Sequence, residues 1–244
     1  MTDAVGERCV LTGATSGIGR GLALALAARG ASVWALSRSI ERLAALAADA
    51  ESLPGSVTPV VADLERGEDV HEASRSILAQ VDELDVLIHA AGAIVLGRFE
   101  SVPSADFDRL YRVNLRAPLV LTQDLLPALR RARGQVVFVN SSAGLRASAL
   151  NALYAATKHG LKAIADGLRD EVNADGIRVI SVYAGRTATD MQRFVHEHEG
   201  REYRPELLLQ AEDVVDVVLA ALSVPPSGEV TDVSVRPMAK LSAR

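Results

Sequence analysis

Tyr154 and Lys158 stand four residues apart in a stretch, Ala152–Ala174, whose pattern predicts a helix. Residues at that spacing share one helix face. A tyrosine hydroxyl titrates at about 10, too high for ready proton transfer at neutral pH. A lysine ammonium beside it favours the phenolate and lowers that value. The pair can therefore give and take a proton; the alternative is an ordinary pair on a helix surface. Thirteen residues before Tyr154, just past the strand-like run Gln135–Asn140, stands Ser141. Its hydroxyl can donate to a carbonyl oxygen as negative charge builds there. Ser142 competes for that role, and both serines could instead cap the following loop. Asn114 falls inside a long helical pattern, Ala105–Arg131, where asparagine is a poor helix former. A polar group there can hold a water and relay protons; the alternative is an exposed Asn.

A second set of residues suits a dinucleotide. Thr12-Gly13-Ala14-Thr15-Ser16-Gly17-Ile18-Gly19 follows a short apolar run, Cys9–Leu11, and leads straight into a helical pattern, Ile18–Arg29. Glycines after a first strand let the backbone turn tightly and approach a pyrophosphate, and the helix start supplies N–H donors. At the end of the second strand, Ser32–Leu36, stand Ser37 and Arg38 rather than an acidic residue. An arginine there suits the 2′-phosphate of NADP; NAD, with a free 2′-hydroxyl, usually meets a carboxylate. The alternative is that Arg38 merely opens the helix at Ile40. Asp63 follows the third strand and either accepts from an adenine amino group or caps the next helix.

These residues need a scaffold that brings strand ends together. Strands are predicted at Cys9–Leu11, Ser32–Leu36, Val57–Val61, Asp85–His89, Gln135–Asn140, Ile177–Val182 and Val230–Val235. Helices are predicted at Ile18–Arg29, Ile40–Ala50, Asp69–Val81, Ala105–Arg131, Ala152–Ala174 and Ala211–Leu222. This alternation implies parallel βαβ units and a doubly wound α/β sheet. No linker or repeat divides the chain, so residues 1–244 are expected to form one domain. The polar stretch 186–205 is expected to be a mobile lid.

Taken together, the chain resembles the short-chain dehydrogenase/reductase family nearly end to end. The residues that carry the resemblance are Thr12-Gly13-x-x-x-Gly17-x-Gly19, Asp63, His89-Ala90-Ala91-Gly92, Asn114, Ser141, Tyr154-x-x-x-Lys158, and Ala184-Gly185 followed by Thr187 and Thr189. The resemblance implies a single Rossmann-type domain with a seven-stranded parallel sheet. It implies an NADP-dependent oxidoreductase that interconverts a ketone or aldehyde and an alcohol, a carbonyl reductase or alcohol dehydrogenase. Tyr154 would be the acid/base, Ser141 would orient the substrate, Lys158 would hold the nicotinamide ribose, and Asn114 would complete the relay. The cofactor would meet Gly13, Thr15, Ser16, Gly17, Ile18, Gly19, Ser37, Arg38, Asp63, Leu64, Ala91, Gly92, Tyr154, Lys158, Gly185, Thr187 and Thr189. Homodimers or homotetramers would form through the helices around 105–131 and 152–174. The family usually has Asn where His89 stands and Pro where Ala184 stands. Altered packing is expected at His89, and a looser lid after Ala184. Ser16 occupies a position where NADP users of this type often carry Arg or Lys.

Composition sets the other bounds. The chain is 49% hydrophobic and only 4% aromatic, which favours helices on a Val-rich sheet. A net charge of -5 speaks against non-specific nucleic-acid binding. The single cysteine, Cys9, excludes an internal disulfide and suits a reducing, cytoplasmic setting. Met1–Glu7 carries no signal-peptide pattern, and no run reaches about 18 apolar residues, so neither export nor membrane insertion is expected. His196-x-His198 with Glu197 and Glu199 lacks the usual extra metal ligands, so the pair is assigned to a solvated lid and no metal is expected. Substrate contacts are expected from Ala93, Ile94, Leu145, Leu150, Met191 and Phe194, with Arg146 and Asn151 adding polarity, which suits a medium-sized, partly apolar ketone or alcohol. The competing reading is a nucleotide-sensing scaffold without catalysis, or an alcohol dehydrogenase that prefers NAD.

Overall fold

The computed structural model describes residues 6–238, so most of the N-terminal segment inspected for a leader, and residues 239–244, lie outside it. Seven strands form one sheet in the order β3-β2-β1-β4-β5-β6-β7, and every adjacent pair is parallel. The strands are β1 (Arg8–Thr12), β2 (Ser32–Ser37), β3 (Ser56–Val61), β4 (Val86–His89), β5 (Gln135–Ser141), β6 (Arg178–Ala184) and β7 (Asp232–Val235). The helices are α1 (Gly17–Ala28), α2 (Ile40–Asp49), α3 (Gly67–Leu78), α4 (Ser104–Tyr111), α5 (Ala117–Ala132), α6 (Ala152–Val172), α7 (Asp190–His198) and α8 (Ala211–Leu222).

Alternation along the strands divides the core in two. Cys9, Leu11, Val33, Ala35, Ile88, Val137 and Val182 meet Leu22 and Leu26 of α1, Leu43 of α2 and Val214 of α8. Val10, Trp34, Leu36, Leu87, Phe138 and Val179 meet Ile77 of α3, Leu121 and Leu125 of α5 and Leu161 of α6. Successive strand residues point to opposite faces, so a sheet covered on both sides needs apolar residues at nearly every position. The order reverses between β1 and β4, whose ends register Thr12 with His89. In such sheets the crevice beyond the strand C-termini at the reversal is where ligands bind.

Several elements differ from the sequence reading; α6 stops two residues before the expected Ala174, and β6 runs two residues past the expected Val182. The helix expected over 105–131 is broken by a π-helical turn at Arg112–Arg116, centred on Asn114. The stretch 186–205, expected as a lid, contains a helix that the sequence reading did not place, α7. Helix α3 starts two residues before the expected Asp69 and stops three before Val81. The last strand is shorter, Asp232–Val235, because residues 228–231 are turned away as a loop. No helix of the described residues is long and apolar enough to cross a membrane.

His89 shows how the structure accommodates an unusual residue. Its ring is buried, stacks on Phe138 with centroids 5.0 Å apart, and pairs with Thr122 Oγ1 at 2.9 Å. Burial pushes its pKa down to about 3. The unfolded chain's histidine titrates at about 6.5, so between these values the unfolded state binds the extra proton. Stability is therefore fully present above pH ~6.5 and is lost as pH falls towards ~3, by about 1.4 kcal/mol per pH unit. His89→Asn should remove about one proton's worth of slope from unfolding free energy against pH. Urea unfolding at several pH values below neutrality checks this; an unchanged slope would mean that the imidazole is not held neutral.

Candidate functional site

The turn from β1 into α1 is built for close backbone approach. Gly13 has φ +69°, and a Cβ there would fall 2.7 Å from the Ala91 backbone. A Cβ on Gly19 would meet the Gly13 carbonyl oxygen, so α1 can start directly beneath the turn only as glycine. Thr12 Oγ1 accepts from the Ala91 N–H at 3.2 Å, tying the end of β1 to the loop after β4. Thr15 and Ser37 hydroxyls pair at 3.0 Å and tie the turn to the end of β2. Beyond these ends opens a cleft of about 600 Å³. Every residue expected at the cofactor or in catalysis lines it, except Thr15 and Asn114.

On the β2–β3 side of the cleft, Arg38 is exposed and makes no ion pair among the described residues. Asp63 Oδ1 accepts from Glu65 N at 3.0 Å and so caps a turn; α3 itself is opened by Arg66. Glu65 in turn pairs with Arg109 at 3.0 Å, and both line the same wall.

The other end of the cleft holds the Tyr154–Lys158 pair. Tyr154 and Lys158 occupy the first turns of α6, with the ammonium 6.0 Å from the phenol ring centroid. Both are buried. Burial raises the Tyr154 pKa, and the neighbouring Ser141 hydroxyl offsets part of that rise. Burial pulls Lys158 down to about 8. The lowering of Tyr154 by Lys158 expected from their spacing is thus not what the protein alone shows: desolvation of the phenolate dominates. Lys158 Nζ donates to the Val139 carbonyl at 3.3 Å. Ser141 ends β5, and its Oγ accepts from Ala143 N at 3.1 Å; Ser142 is exposed at the start of a short 3-10 turn.

Asn114 is buried, not exposed. Its amide donates to Ala93 O at 2.9 Å and to Thr157 Oγ1 at 3.0 Å, while its Oδ1 accepts from Ala93 N at 2.8 Å. Both amide hydrogens are committed, and only a second lone pair of Oδ1 is left for a relay water. The π-helical turn places this side chain between the loop after β4 and α6.

The stretch after β6 is fastened at both ends. Ala188 N donates to Leu209 O at 2.7 Å and Leu209 N to Arg186 O at 3.0 Å. Arg186 grips Glu199 with two bonds, 2.9 and 2.6 Å. Thr189 caps α7, and its methyl sits where a Cβ on Gly17 would be 2.8 Å away. His196 is buried, edge-on to Tyr203 at 5.5 Å, which corrects the solvated reading; His198 instead faces Phe194. No group of three or more His, Cys, Asp or Glu among the described residues could hold a metal. Of the expected apolar substrate contacts, Ala93, Ile94, Leu150 and Met191 line the cleft, whereas Leu145 and Phe194 stand outside it.

Comparison with known proteins decides the family. The family model described as short chain dehydrogenase matches residues 7–200. The chain belongs to this family. An uncharacterized oxidoreductase of Staphylococcus epidermidis is 28% identical over 94% of this chain and 96% of its own length. An uncharacterized short-chain type dehydrogenase/reductase of Sinorhizobium fredii is 31% identical over 95% of this chain and 91% of its own. A metagenomic short-chain oxidoreductase, solved in complex with NADP, superposes with a TM-score of 0.84 at 27% identity, over 98% of this chain and 100% of that one. This short-chain dehydrogenase is therefore an oxidoreductase.

In this short-chain dehydrogenase two positioning residues were not visible in the sequence. Asn140 accepts from Ser141 N at 2.8 Å and donates to the Lys158 carbonyl at 3.1 Å, so one side chain spaces the serine from the lysine. A Cβ on Gly144 would strike Asn140 Oδ1 at 2.7 Å, so that bridge needs glycine beside it. Thr157 supports Asn114 from α6. The available signal was a polar residue, Asn140, ending the otherwise apolar run Val136–Val139.

Proposed function

We propose that this short-chain dehydrogenase interconverts a ketone or aldehyde and an alcohol with NADP, Tyr154 giving the proton in the reductive direction. The observation that carries the reading is a buried phenol flanked by Ser141 and Lys158, at one end of a cleft whose other end is the glycine turn and Arg38. When bound, the nicotinamide supplies or takes the hydride. A phenol whose pKa is raised stays protonated at neutral pH, which suits donation to an alkoxide as it forms. The Ser141 hydroxyl accepts from Ala143 N and lies against the phenol oxygen, and its single hydrogen can turn from there to a substrate oxygen placed between them. Lys158 has three N–H bonds and one protein acceptor at 3.3 Å, which leaves donors for ribose hydroxyls. Gly92 carries no side chain where a Cβ would stand 3.8 Å from that ammonium. Asn114 and Asn140 act through Ala93, Thr157, Ser141 and Lys158 as positioning residues.

The choice of NADP rests on Arg38, supported by the NADP held in the metagenomic relative. A guanidinium can fork onto a phosphate, and a charge-assisted bond of this kind is worth about 1.5–3 kcal/mol. The wild type should show kcat/KM with NADPH about ten- to a hundredfold above that with NADH, at low salt where screening is weak. Ser37→Asp with Arg38→Ala should invert the ratio, because a carboxylate binds a 2′-hydroxyl and repels a phosphate. Equal values for both cofactors in the wild type would leave Arg38 as an ordinary surface residue.

A further inference from the structure

Two described residues other than glycine have positive φ, Arg133 at 51° and Leu150 at 66°. This left-handed region is unfavourable for residues that carry a Cβ. Arg133 has a local reason, because it ends α5 just before Gly134, where a left-handed residue closes the last helical turn. Leu150 is the third residue of the turn Ser148–Asn151, closed by Asn151 N donating to Ser148 O at 3.4 Å, a position where glycine or asparagine is the usual occupant and a leucine stands here instead. It precedes Asn151, which opens α6, and helix starts do not call for the conformation.

Two further bonds hold this turn in place. The Leu150 carbonyl accepts from Gly97 N at 2.8 Å, and Asn151 Oδ1 accepts from Ser148 N at 2.9 Å. The side chain presented in this way lines the cleft, yet 40% of the residue remains exposed. Strained conformations persist where the surroundings impose them, and they gather at ligand sites. The bond to Gly97 sets Leu150 beside the segment after β4. In that segment Ala93 and Ile94 pack with Tyr154, and Leu96 also lines the cleft. Met191 of α7 adds a further apolar surface.

We infer that Leu150 is a specificity-determining residue, whose left-handed backbone turns an apolar side chain onto the substituent next to the reacting carbonyl. The substrate class is then a ketone with a hydrocarbon arm, which covers the exposed part of Leu150 and packs along Ile94 and Leu96. This rests on the carbonyl-reducing reading above. Each methylene buried in an apolar pocket is worth about 10–200-fold in kcat/KM.

The test is the series 2-butanone, 2-hexanone and 2-octanone with NADPH, on wild type, Leu150→Gly and Leu150→Asn. Glycine and asparagine both accept the left-handed conformation, so both variants should melt no lower than wild type. In wild type kcat/KM should climb along the series. In both variants the ratio between the longest and shortest ketone should fall at least about tenfold. Turnover that is indifferent to chain length in wild type, or a ratio unchanged in both variants, overturns the inference and leaves the carbonyl-reducing reading standing. No turnover of any ketone by wild type overturns that reading, and the inference with it.

Discussion

Tyr154→Phe should lower kcat by about 10²–10⁴-fold, the range typical of losing a positioned general acid. The ring remains in place, because it packs with Ala93, Leu110, Ala143 and Ala155 and the substitution removes only the hydroxyl. Fold and cofactor affinity should therefore stay close to wild type. The comparison belongs near neutral pH, since in the free protein Lys158 gives up its proton at about 8. Steady-state kinetics with a cofactor titration check both halves. A variant with near-wild-type kcat would remove Tyr154 from the chemistry, and one that binds no cofactor would give the phenol a binding role instead.

Ser141→Ala is expected to show the next largest effect, a loss of about 10²–10³ in kcat, as for one donor to a developing oxyanion. The choice between the two serines rests on surroundings. Ser141 is half-buried at the end of β5, beside the phenol and braced through its N–H by Asn140. Ser142 is exposed and starts a turn. Ser142→Ala should therefore change kcat by no more than about threefold, a surface effect. Kinetics of the two variants side by side decide it, and the reverse order would transfer the role to Ser142.

The residues that could be read from the sequence are those whose partners lie nearby along the chain. Tyr154 and Lys158 are one helical turn apart, and the glycines from 13 to 19 sit in one strand–turn–helix unit, so spacing alone located them. The order of strands and helices followed from periodicity for the same reason. What spacing could not convey was burial. The rise of the Tyr154 pKa comes from desolvation by a cluster assembled from four segments, and no local pattern encodes it. The π-helical turn at Asn114 escaped notice because its cause is distant: bonds to Ala93 and Thr157, 21 and 43 residues away. Helix α7 was missed because its buried positions, Val195 and His196, are few and lie among charges. The burial of His196 depends on Tyr203 folding back over it. Leu150 was visible as a candidate contact, but no glycine or asparagine marked the positive φ that its turn requires, and the bond from Gly97 that holds it comes from 53 residues away.

Hydride transfer to a carbonyl, with Tyr154 giving the proton, leaves an isotopic record in the product. Deuterium-labelled NADPH tests it most directly, with the label followed into the product alcohol by mass spectrometry and NMR. The wild type should place one deuterium on the carbinol carbon, and Tyr154→Phe should slow its appearance by the same factor as kcat. Binding of NADPH with no transfer of label to any ketone or aldehyde supplied would contradict it, and would make the protein a nucleotide-binding scaffold.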